Sequence, residues 1–139
     1  MTTFGYWRTS TKEQSSERQT QSLINAGCDV SRIYGDQITG TSSYGSRDQL
    51  SRCLDALREG DTLVLHELDR LGRTMIEMLV EINALLDRGI AIKTLDGRLD
   101  TASMPEDIVK LIVGVMGYAA EMELKGIKKR TAEGREVAL

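Results

Sequence analysis

A short polar stretch, Leu68-Asp69-Arg70-Leu71-Gly72-Arg73, contains the residue types best suited to chemistry in this chain. It follows an apolar run, Thr62–Leu65, that predicts a buried strand, and it precedes an amphipathic helical pattern. Such strand-to-helix junctions are where α/β proteins place their ligands. Two arginines around a glycine can converge on one compact anion such as a phosphate, and an acidic residue between them can orient a guanidinium or handle a proton. A surface salt-bridge cluster is the alternative that this stretch alone leaves open.

A second polar cluster follows the first predicted strand, where Arg8 precedes Ser10 by two positions. Because the carboxyl ends of parallel strands meet at one edge of a sheet, we expect the two clusters to lie together. A serine surrounded by arginines has no imidazole base, so a serine-protease triad is unsupported. Arginines stabilise a pentacoordinate phosphorus and lower the pKa of a nearby hydroxyl, which indicates phosphoryl transfer with a serine nucleophile. Ser10 is favoured because it lies nearest the strand end, and the neighbouring hydroxyls that stay open as alternatives are Thr9, Thr11, Ser15 and Ser16.

Composition narrows the class of protein. The 139 residues suffice for one domain that buries roughly two thirds of its unfolded surface. No apolar run has the length of a membrane span and the N-terminus has no signal-peptide pattern, so we expect a cytoplasmic protein. Cys28 and Cys53 form no disulfide framework and are expected to be reduced packing residues. The only histidine, His66, has no second ligand at metal-binding spacing, and the carboxylates are too scattered for a metal cage.

Charge is unevenly distributed along the chain. The net charge of −3 argues by itself against a nucleic-acid-binding protein. The C-terminal end is nevertheless basic, which suits contacts with phosphates, although a solvated helix end is the commoner reason for such a run. The candidate DNA-binding residues of this segment are Lys125, Lys128, Lys129, Arg130 and Arg135.

Strand and helix patterns alternate through the first hundred or so residues. Strands are predicted at residues 3–8, 31–34, 62–65 and 90–95, and helices at residues 12–26, 50–57 and 75–86. Residues 9–11 are expected to form a polar turn and residues 39–46 a mobile loop. This alternation predicts an α/β domain with a mostly parallel central sheet of about four to five strands flanked by helices.

The last predicted element is a long helix. Residues 103–106 match a capping box with proline in the first turn, and the helical pattern continues to Arg135. About 30 residues at 1.5 Å each span roughly 45 Å, more than the width of so small a domain. We therefore expect residues 1–102 to form the α/β core and residues 103–139 a helix that partly leaves it to form a dimer; a helix wrapping its own core is the alternative. Its apolar stripe is predicted to comprise Ile108, Ile112, Val115, Ala119 and Met122, broadened by Leu111 and Met116.

Several short motifs occur in a distinctive order. They are Tyr6-Trp7-Arg8-Thr9-Ser10, Gln14, Glu17-Arg18-Gln19, Gly60-Asp61, Leu68-Asp69-Arg70-Leu71-Gly72-Arg73, and Arg130-Thr131 followed by Gly134. In this order and spacing the chain resembles the catalytic domain of the serine recombinases, the resolvase/invertase family, over essentially its whole length. The pairing of a strand-end Arg-x-Ser with Asp-Arg-Leu-Gly-Arg about sixty residues later is specific.

The resemblance implies a set of catalytic roles. Ser10 would attack a DNA phosphodiester and leave a 5′-phosphoserine link with a free 3′-hydroxyl. Arg8, Arg70 and Arg73 would bind the scissile phosphate and its transition state, and Asp69 would position those arginines or assist proton transfer. The supporting residues that it implies are Gln14, Gln19 and Arg47, the last of which matches the arginine after the family's mobile loop.

The resemblance also implies an assembly on DNA. The helix from about residue 103 would form the interface of a homodimer, and its basic end would run along the minor groove. Two dimers would form a tetramer in which strands are cut, rotated and rejoined. Because one phosphodiester replaces another and arginines supply the positive charge, neither ATP nor a metal cofactor is expected, and no membrane is involved.

The chain departs from the family pattern at four positions, and its sequence ends at Leu139. The family usually carries a basic residue at the position of Ala56, an arginine at that of Leu124 and an acidic residue at that of Lys129, and Trp7 is bulkier than usual. Family members of this type normally continue into a helix-turn-helix module, which we expect to be absent here. We therefore expect a catalytic-domain fragment, or else a natural short relative, that binds DNA weakly and with little sequence preference.

Two other functions stay open from the sequence. The first is a catalytically silent dimerisation or regulatory module with the shape of a recombinase, which Leu124 and Ala56 favour weakly and the intact arginines and Ser10 oppose. The second is a metal-dependent nuclease, which lacks a carboxylate cluster and would hydrolyse DNA without a protein–DNA adduct.

Overall fold

Four parallel strands form the central sheet of the computed structural model, which describes residues 1–10, 16–38, 48–72 and 74–138 except for the side chains at 10, 38, 48 and 127–138. The strands are β1 (Thr3–Ser10), β2 (Ile33–Ile38), β3 (Thr62–Leu65) and β4 (Ala91–Thr94). The helices are α1 (Ser16–Asn25), α2 (Asp48–Ala56), α3 (Met75–Asp87) and α4 (Glu106–Ala138). The predicted α/β class with a parallel sheet flanked by helices is confirmed.

The strand order places β1 in the middle of the sheet. The order is β2-β1-β3-β4, so β1 pairs with β2 on one side and with β3 on the other. Its first half pairs with β3 up to Tyr6 opposite Leu65, and its second half continues along β2 to Ser10 opposite Ile38. The polar turn predicted at residues 9–11 is therefore wrong for Thr9 and Ser10, because β2 extends far enough to keep both in the strand.

Strand β2 also differs from its predicted bounds. The sequence placed it at residues 31–34, whereas it begins at Ile33 and runs to Ile38. A 3₁₀ turn, Val30–Arg32, occupies the predicted start, and the Asp29 side chain caps this turn by accepting the amide N–H of Ser31. The end was missed because glycine, aspartate and glutamine are poor strand formers whose pairing is imposed here by β1. The loop expected at residues 39–46 and the start of the helix expected at residue 12 lie outside the described residues.

Helices cover both faces of the sheet. The larger apolar cluster joins Tyr6 and Leu65 of the sheet to side chains of α2, α3 and α4, including Cys53, Ile82 and Met116. A smaller cluster on the other face is formed by Leu23 of α1 with Cys28 and Val64, and Trp7 packs against it. Alternate residues of β1 thus serve opposite layers, as a strand buried on both sides requires.

Trp7 owes its place to a glycine on the neighbouring strand. It pairs with Gly35 of β2, and its ring lies so close to that backbone that a Cβ at Gly35 would lie 1.8 Å from Trp7 Cε2. Only glycine leaves this space, because any larger residue would displace the indole. The bulk that sets Trp7 apart from the family pattern is therefore accommodated within the sheet.

A single carboxylate ties the start of β1 to the start of β3. Asp61 accepts the amide N–H of Thr2 at 2.9 Å and that of Arg58 at 2.8 Å. The hydrogen bond from Thr2, followed by the one from Arg58, lowers the pKa of Asp61 although its partial burial acts in the opposite direction. The two strands that frame the candidate site therefore begin from one fixed point.

The long C-terminal helix is present, but its start and its apolar faces differ from the prediction. Helix α4 begins at Glu106, after Pro105, whereas the capping box placed its start at residue 103. The stripe predicted as one surface is two: Val109, Ile112 and Met116 pack on the domain, with Ala120 also buried. The residues on the exposed side are Ile108, Leu111, Val115, Tyr118 and Met122, called the exposed seam below. Within the described part of the chain no helix has the length and apolarity needed to cross a membrane.

Candidate active site

Asp69 holds two of the predicted arginines with two different groups. Its backbone carbonyl accepts an N–H from Arg8 Nη2 at 3.0 Å, and its carboxylate oxygen Oδ1 lies 3.6 Å from Arg70 Nη1. The Arg70 side chain is 21% exposed and that of Asp69 52%, so the cluster is open to solvent on the Asp69 side. Two guanidiniums brought together at a solvent-accessible strand edge form a site for an anion.

The turn that carries Asp69 and Arg70 is fixed at both ends. It is a 3₁₀ turn, Leu68–Arg70, that begins just after β3 and closes with the Leu71 amide donating to the Leu68 carbonyl. Leu71 is fully buried, and Gly72 lies so close to α3 that a Cβ there would lie 2.6 Å from the Cβ of Glu77. This packing fixes the backbone from which the Asp69 and Arg70 side chains project.

Asp36 connects β1 to the start of α2. Its carboxylate accepts the Tyr6 hydroxyl at 2.7 Å and the amides of Gln49 and Leu50 at 3.1 and 3.2 Å. Asp36 is buried and lies opposite Arg8 in the register of β1 and β2. The carboxylate thus satisfies amides at the helix N-terminus and also fixes Tyr6, two residues before Arg8.

Sequence reasoning missed Asp36 as part of the site region. Its partners are 13, 14 and 30 positions away, so no local pattern indicates them. The only available signal was an acidic residue inside a weak strand pattern, which is better explained by a turn when the sequence is taken alone.

The remaining predicted site residues fall in three groups. Ser10 is the last residue of β1, two positions after Arg8, and Gln19 is buried in α1. Gln14, Arg47 and Arg73 lie outside the described residues. The structure therefore brings Arg8, Asp69 and Arg70 together, and it describes no side-chain position for Ser10, Gln14, Arg47 or Arg73.

The structure also distinguishes among the alternative nucleophiles by their burial and position. Thr9 is buried in β1 and cannot reach a macromolecular substrate without unfolding of the strand. Ser16 is the first residue of α1, and Thr11 and Ser15 lie outside the described residues. Among the candidates whose side chains the structure describes, Thr9 is buried and Ser16 is partly exposed, so burial does not exclude Ser16.

His66, which lies between β3 and the Asp69 turn, is a half-buried residue with an unusual ring environment. Neither ring nitrogen has a hydrogen-bond partner among the described residues, and both are shielded from solvent. Burial is the main cause that lowers its pKa, and the charge of Arg70 adds to it, while Glu67 acts in the opposite direction. The imidazole is therefore neutral at pH 7.

The described ranges contain no group of three or more histidine, cysteine, aspartate or glutamate side chains arranged to hold a metal ion. Cys28 and Cys53 are both buried free thiols, which confirms the prediction that they are packing residues. Arginine guanidiniums are therefore the cationic groups that the described part of the site presents.

Comparison with known proteins assigns the chain to a family. The family described as "Resolvase, N terminal domain" matches residues 3–139. The chain belongs to this family. Its resemblance to the serine recombinases, inferred from the motifs, is thereby confirmed.

Named relatives with full-length sequences extend beyond the matched region. Serine recombinase Gin of Escherichia phage Mu is 39% identical over 134 residues, which cover 96% of this chain and 66% of that protein. Transposon Tn3 resolvase of Escherichia coli is 34% identical over 99% of this chain and 72% of its own length. DNA-invertase Hin of Salmonella typhimurium is 38% identical over 99% of this chain and 69% of its own. This resolvase-family chain thus spans about two thirds of the length of the curated relatives it matches.

The fold has a counterpart among solved structures. A resolvase-family site-specific recombinase from Streptococcus pneumoniae superposes with a TM-score of 0.62 and 20% identity, covering 96% of this chain and 95% of that one. At this identity the likeness concerns the fold, and it supports the sheet and long-helix architecture described above.

Proposed function

We propose that the chain is the catalytic domain of a site-specific DNA recombinase that cuts and rejoins DNA through a covalent bond to Ser10. The observation that carries this proposal is the pairing of Arg8 and Arg70 on Asp69 at the strand edge where β1 ends at Ser10. The relatives named as recombinase, resolvase and invertase support the same class of reaction.

The proposed reaction is a transesterification. The Ser10 hydroxyl oxygen attacks the scissile phosphorus and loses its proton, a phosphoserine bond to the 5′ side forms, and the 3′ oxygen leaves as a hydroxyl after taking up a proton. The reverse step, with a 3′-hydroxyl as attacking group, rejoins DNA and releases the serine. One phosphodiester-type bond replaces another at each step, so the reaction needs no ATP, and the proposal includes no metal.

Arg8 and Arg70 act in this scheme on the phosphate. Charge accumulates on the non-bridging oxygens as phosphorus becomes pentacoordinate, and guanidiniums held in place beforehand stabilise it without reorganisation. Losing one such group typically costs on the order of 10²–10³-fold in rate. Asp69 orients both arginines, one through its backbone and one through its carboxylate. We assign supporting roles at the phosphate to Arg47 and Arg73 and at the site to Gln14 and Gln19, on the strength of the family motifs alone.

Dimerisation through α4 is the second part of the proposal. The exposed seam runs at alternating intervals of three and four residues, which is the pattern of a helix that packs against another helix. Its central members, Leu111, Val115 and Tyr118, are 63%, 60% and 66% exposed. A second copy of the same helix would cover this apolar surface on both partners at once.

The dimer helix has a route to the active site. One pocket of about 500 Å³ is lined by Leu68 and Asp69 of the turn, by Met75 of α3, and by Ile112 and Met116 of α4. A shift of α4 on dimerisation would therefore change the packing of the pocket that Asp69 lines.

Contacts with DNA and with a second dimer complete the proposal. We propose that DNA phosphates are contacted by Lys125, Lys128, Lys129, Arg130 and Arg135. We also propose that two dimers join as a tetramer for strand exchange, in the cytoplasm where such DNA is found.

The test is detection of the covalent intermediate. The chain is fused to a sequence-reading DNA-binding domain, incubated with supercoiled plasmid that carries two copies of the matching site, and kept in excess chelator. After denaturation, a protein–DNA adduct is expected on a gel. Ser10→Ala should abolish this band while leaving the unfolding temperature unchanged, and Ser16→Ala, the matched control, should retain it.

Three outcomes would contradict the proposal in different ways. An adduct that persists in Ser10→Ala but is lost in Ser16→Ala would move the nucleophile to α1. A folded, dimeric fusion protein that makes no adduct would indicate the silent module. Cleavage that appears only with magnesium, with no adduct, would indicate a metal-dependent nuclease.

A further inference from the structure

Two side chains at the Asp69 turn have nitrogen atoms that are shielded from solvent and lack a hydrogen-bond partner among the described residues. Arg70 Nε is shielded from solvent and has no hydrogen-bond partner among the described residues. Both ring nitrogens of His66, four positions earlier, are in the same state. A buried donor or acceptor left unpaired is costly, so such groups are rare and call for an explanation.

The two groups are chemically complementary. Arg70 Nε–H can only donate, whereas a neutral imidazole carries one nitrogen that donates and one that accepts. The carbonyl of His66 accepts the amide N–H of Asp96 at 3.2 Å, and the amide of Arg70 donates to the Glu67 carbonyl at 3.2 Å. The backbone at both residues is therefore held by hydrogen bonds, and the two side chains are close enough for the Arg70 charge to lower the pKa of His66.

The charges around His66 favour its neutral, accepting form. Arg70 and Glu67 flank it on its own turn, and Arg8 reaches the same turn from β1 through the Asp69 carbonyl. On the side of the segment after β4, Asp96 is paired with Arg98 at 3.7 Å. Protonation of the imidazole would add a cation beside Arg70 and would remove the only acceptor that the ring offers.

We propose that His66 is a positioning residue for Arg70: its neutral imidazole accepts the Arg70 Nε–H, directly or through one water, and fixes the guanidinium at the phosphate site. The kinetic consequence rests on the proposed recombinase function, but the bond itself does not. Protonation of His66 releases Arg70, so the site loses part of its phosphate binding as the pH falls below the range in which histidine is neutral.

The first test observes the bond without DNA. Because His66 is the only histidine, its imidazole ¹⁵N signals identify themselves, and the Arg70 Nε–H signal is assigned by its absence in Arg70→Lys. We expect the imidazole to titrate below 6.5 and the Arg70 Nε–H signal to shift with the same midpoint. Arg88, whose guanidinium donates to the carbonyls of Leu54 and Leu57 at 2.9 and 2.7 Å, is the matched control and should not shift. An Arg70 signal that ignores the imidazole titration would overturn the proposal.

The second test measures adduct formation against pH. His66→Phe should lower the rate about 10- to 100-fold at pH 7.5, the usual effect of losing a hydrogen bond to a charged group. His66→Asn and His66→Gln place a non-titrating acceptor near one ring nitrogen or the other. One of them should keep a rate near that of the wild type and lose the decline at acid pH.

The outcomes separate this inference from the proposed function. A wild-type fusion without an adduct rejects the function, and the NMR titration still decides whether the bond forms. If the wild type forms the adduct and His66→Phe forms it at the same rate with the same decline at acid pH, the positioning role is overturned. Should His66→Phe fail to fold, the Asn and Gln variants give the answer. If both of them keep the decline in rate at acid pH, the proposal is contradicted.

Discussion

Asp69 shows how one residue can organise two charges with separate parts of itself. Its carbonyl holds Arg8, which comes from β1, and its carboxylate faces Arg70, its neighbour in the turn. A carbonyl cannot be removed by mutation, so the Arg8 contact belongs to the backbone of the turn. The carboxylate is the part that a substitution can test, and among the described side chains it faces Arg70.

The two cysteines provide a prediction at the same scale. Burial raises the pKa of Cys28 to about 11 and that of Cys53 to about 12, against 9.0 for an ordinary thiol. At pH 8 a pKa of about 11 leaves about 100-fold less thiolate, which is the reactive form. We expect both thiols to react with a disulfide reagent at least about 100-fold more slowly in the folded protein than in urea. The reaction is monitored by the absorbance of the thiol that the reagent releases. Rapid stoichiometric labelling of the native protein would show that the thiols are accessible.

At the scale of elements, Asp36 couples the central strand to α2. Asp36→Asn keeps one acceptor oxygen but turns an amide group toward N–H donors and removes a charge from a helix N-terminus. We expect it to lower the free energy of unfolding by about 2–3 kcal/mol in urea titrations. Tyr6→Phe, which removes one of the three partners, should cost about 1 kcal/mol. Asp55→Asn, on the exposed side of α2, should leave stability unchanged, and an equally stable Asp36→Asn protein would refute the coupling.

How much of these elements the sequence could predict depends on where their causes lie. The bounds of β3 follow from a local apolar run, and Asp69 and Arg70 could be placed at a site because they come directly after it. The bounds of strand β2 and the last two residues of β1 could not be predicted, since these two segments are held in the sheet by pairing with each other. The bond between Tyr6 and Asp36 joins positions 30 apart and leaves no pattern in either neighbourhood.

Helix α4 shows a different limit. Its apolar residues surround more than half of the helix, so spacing alone assigns Ile108 and Ile112 to one stripe. The structure separates them because α3 and the sheet cover only the side that contains Ile112 and Met116. Which apolar side faces the core is decided by the rest of the domain, and the opposite apolar side is exposed as a consequence.

At the scale of the whole molecule, the exposed seam predicts the oligomeric state. Val115→Asp would place two like charges in the interface of a symmetric dimer, and we expect dissociation to increase at least about 100-fold, measured by sedimentation equilibrium. Lys110→Ala, on the same helix but with its side chain paired to Glu106 in solvent, is the matched control and should sediment as the wild type. Identical sedimentation of Val115→Asp and the wild type would mean that the seam is not the dimer contact.

The middle position of β1 has a consequence for the order in which the molecule is built. This strand is synthesised first, yet both of its neighbours come later, and the second of them, β3, is available only when residue 65 has emerged from the ribosome. Contacts so distant in sequence form slowly and late in folding. Under the proposed mechanism, a nascent chain that already contains Ser10 and Arg8 therefore cannot cut DNA before Asp69 and Arg70 have been synthesised.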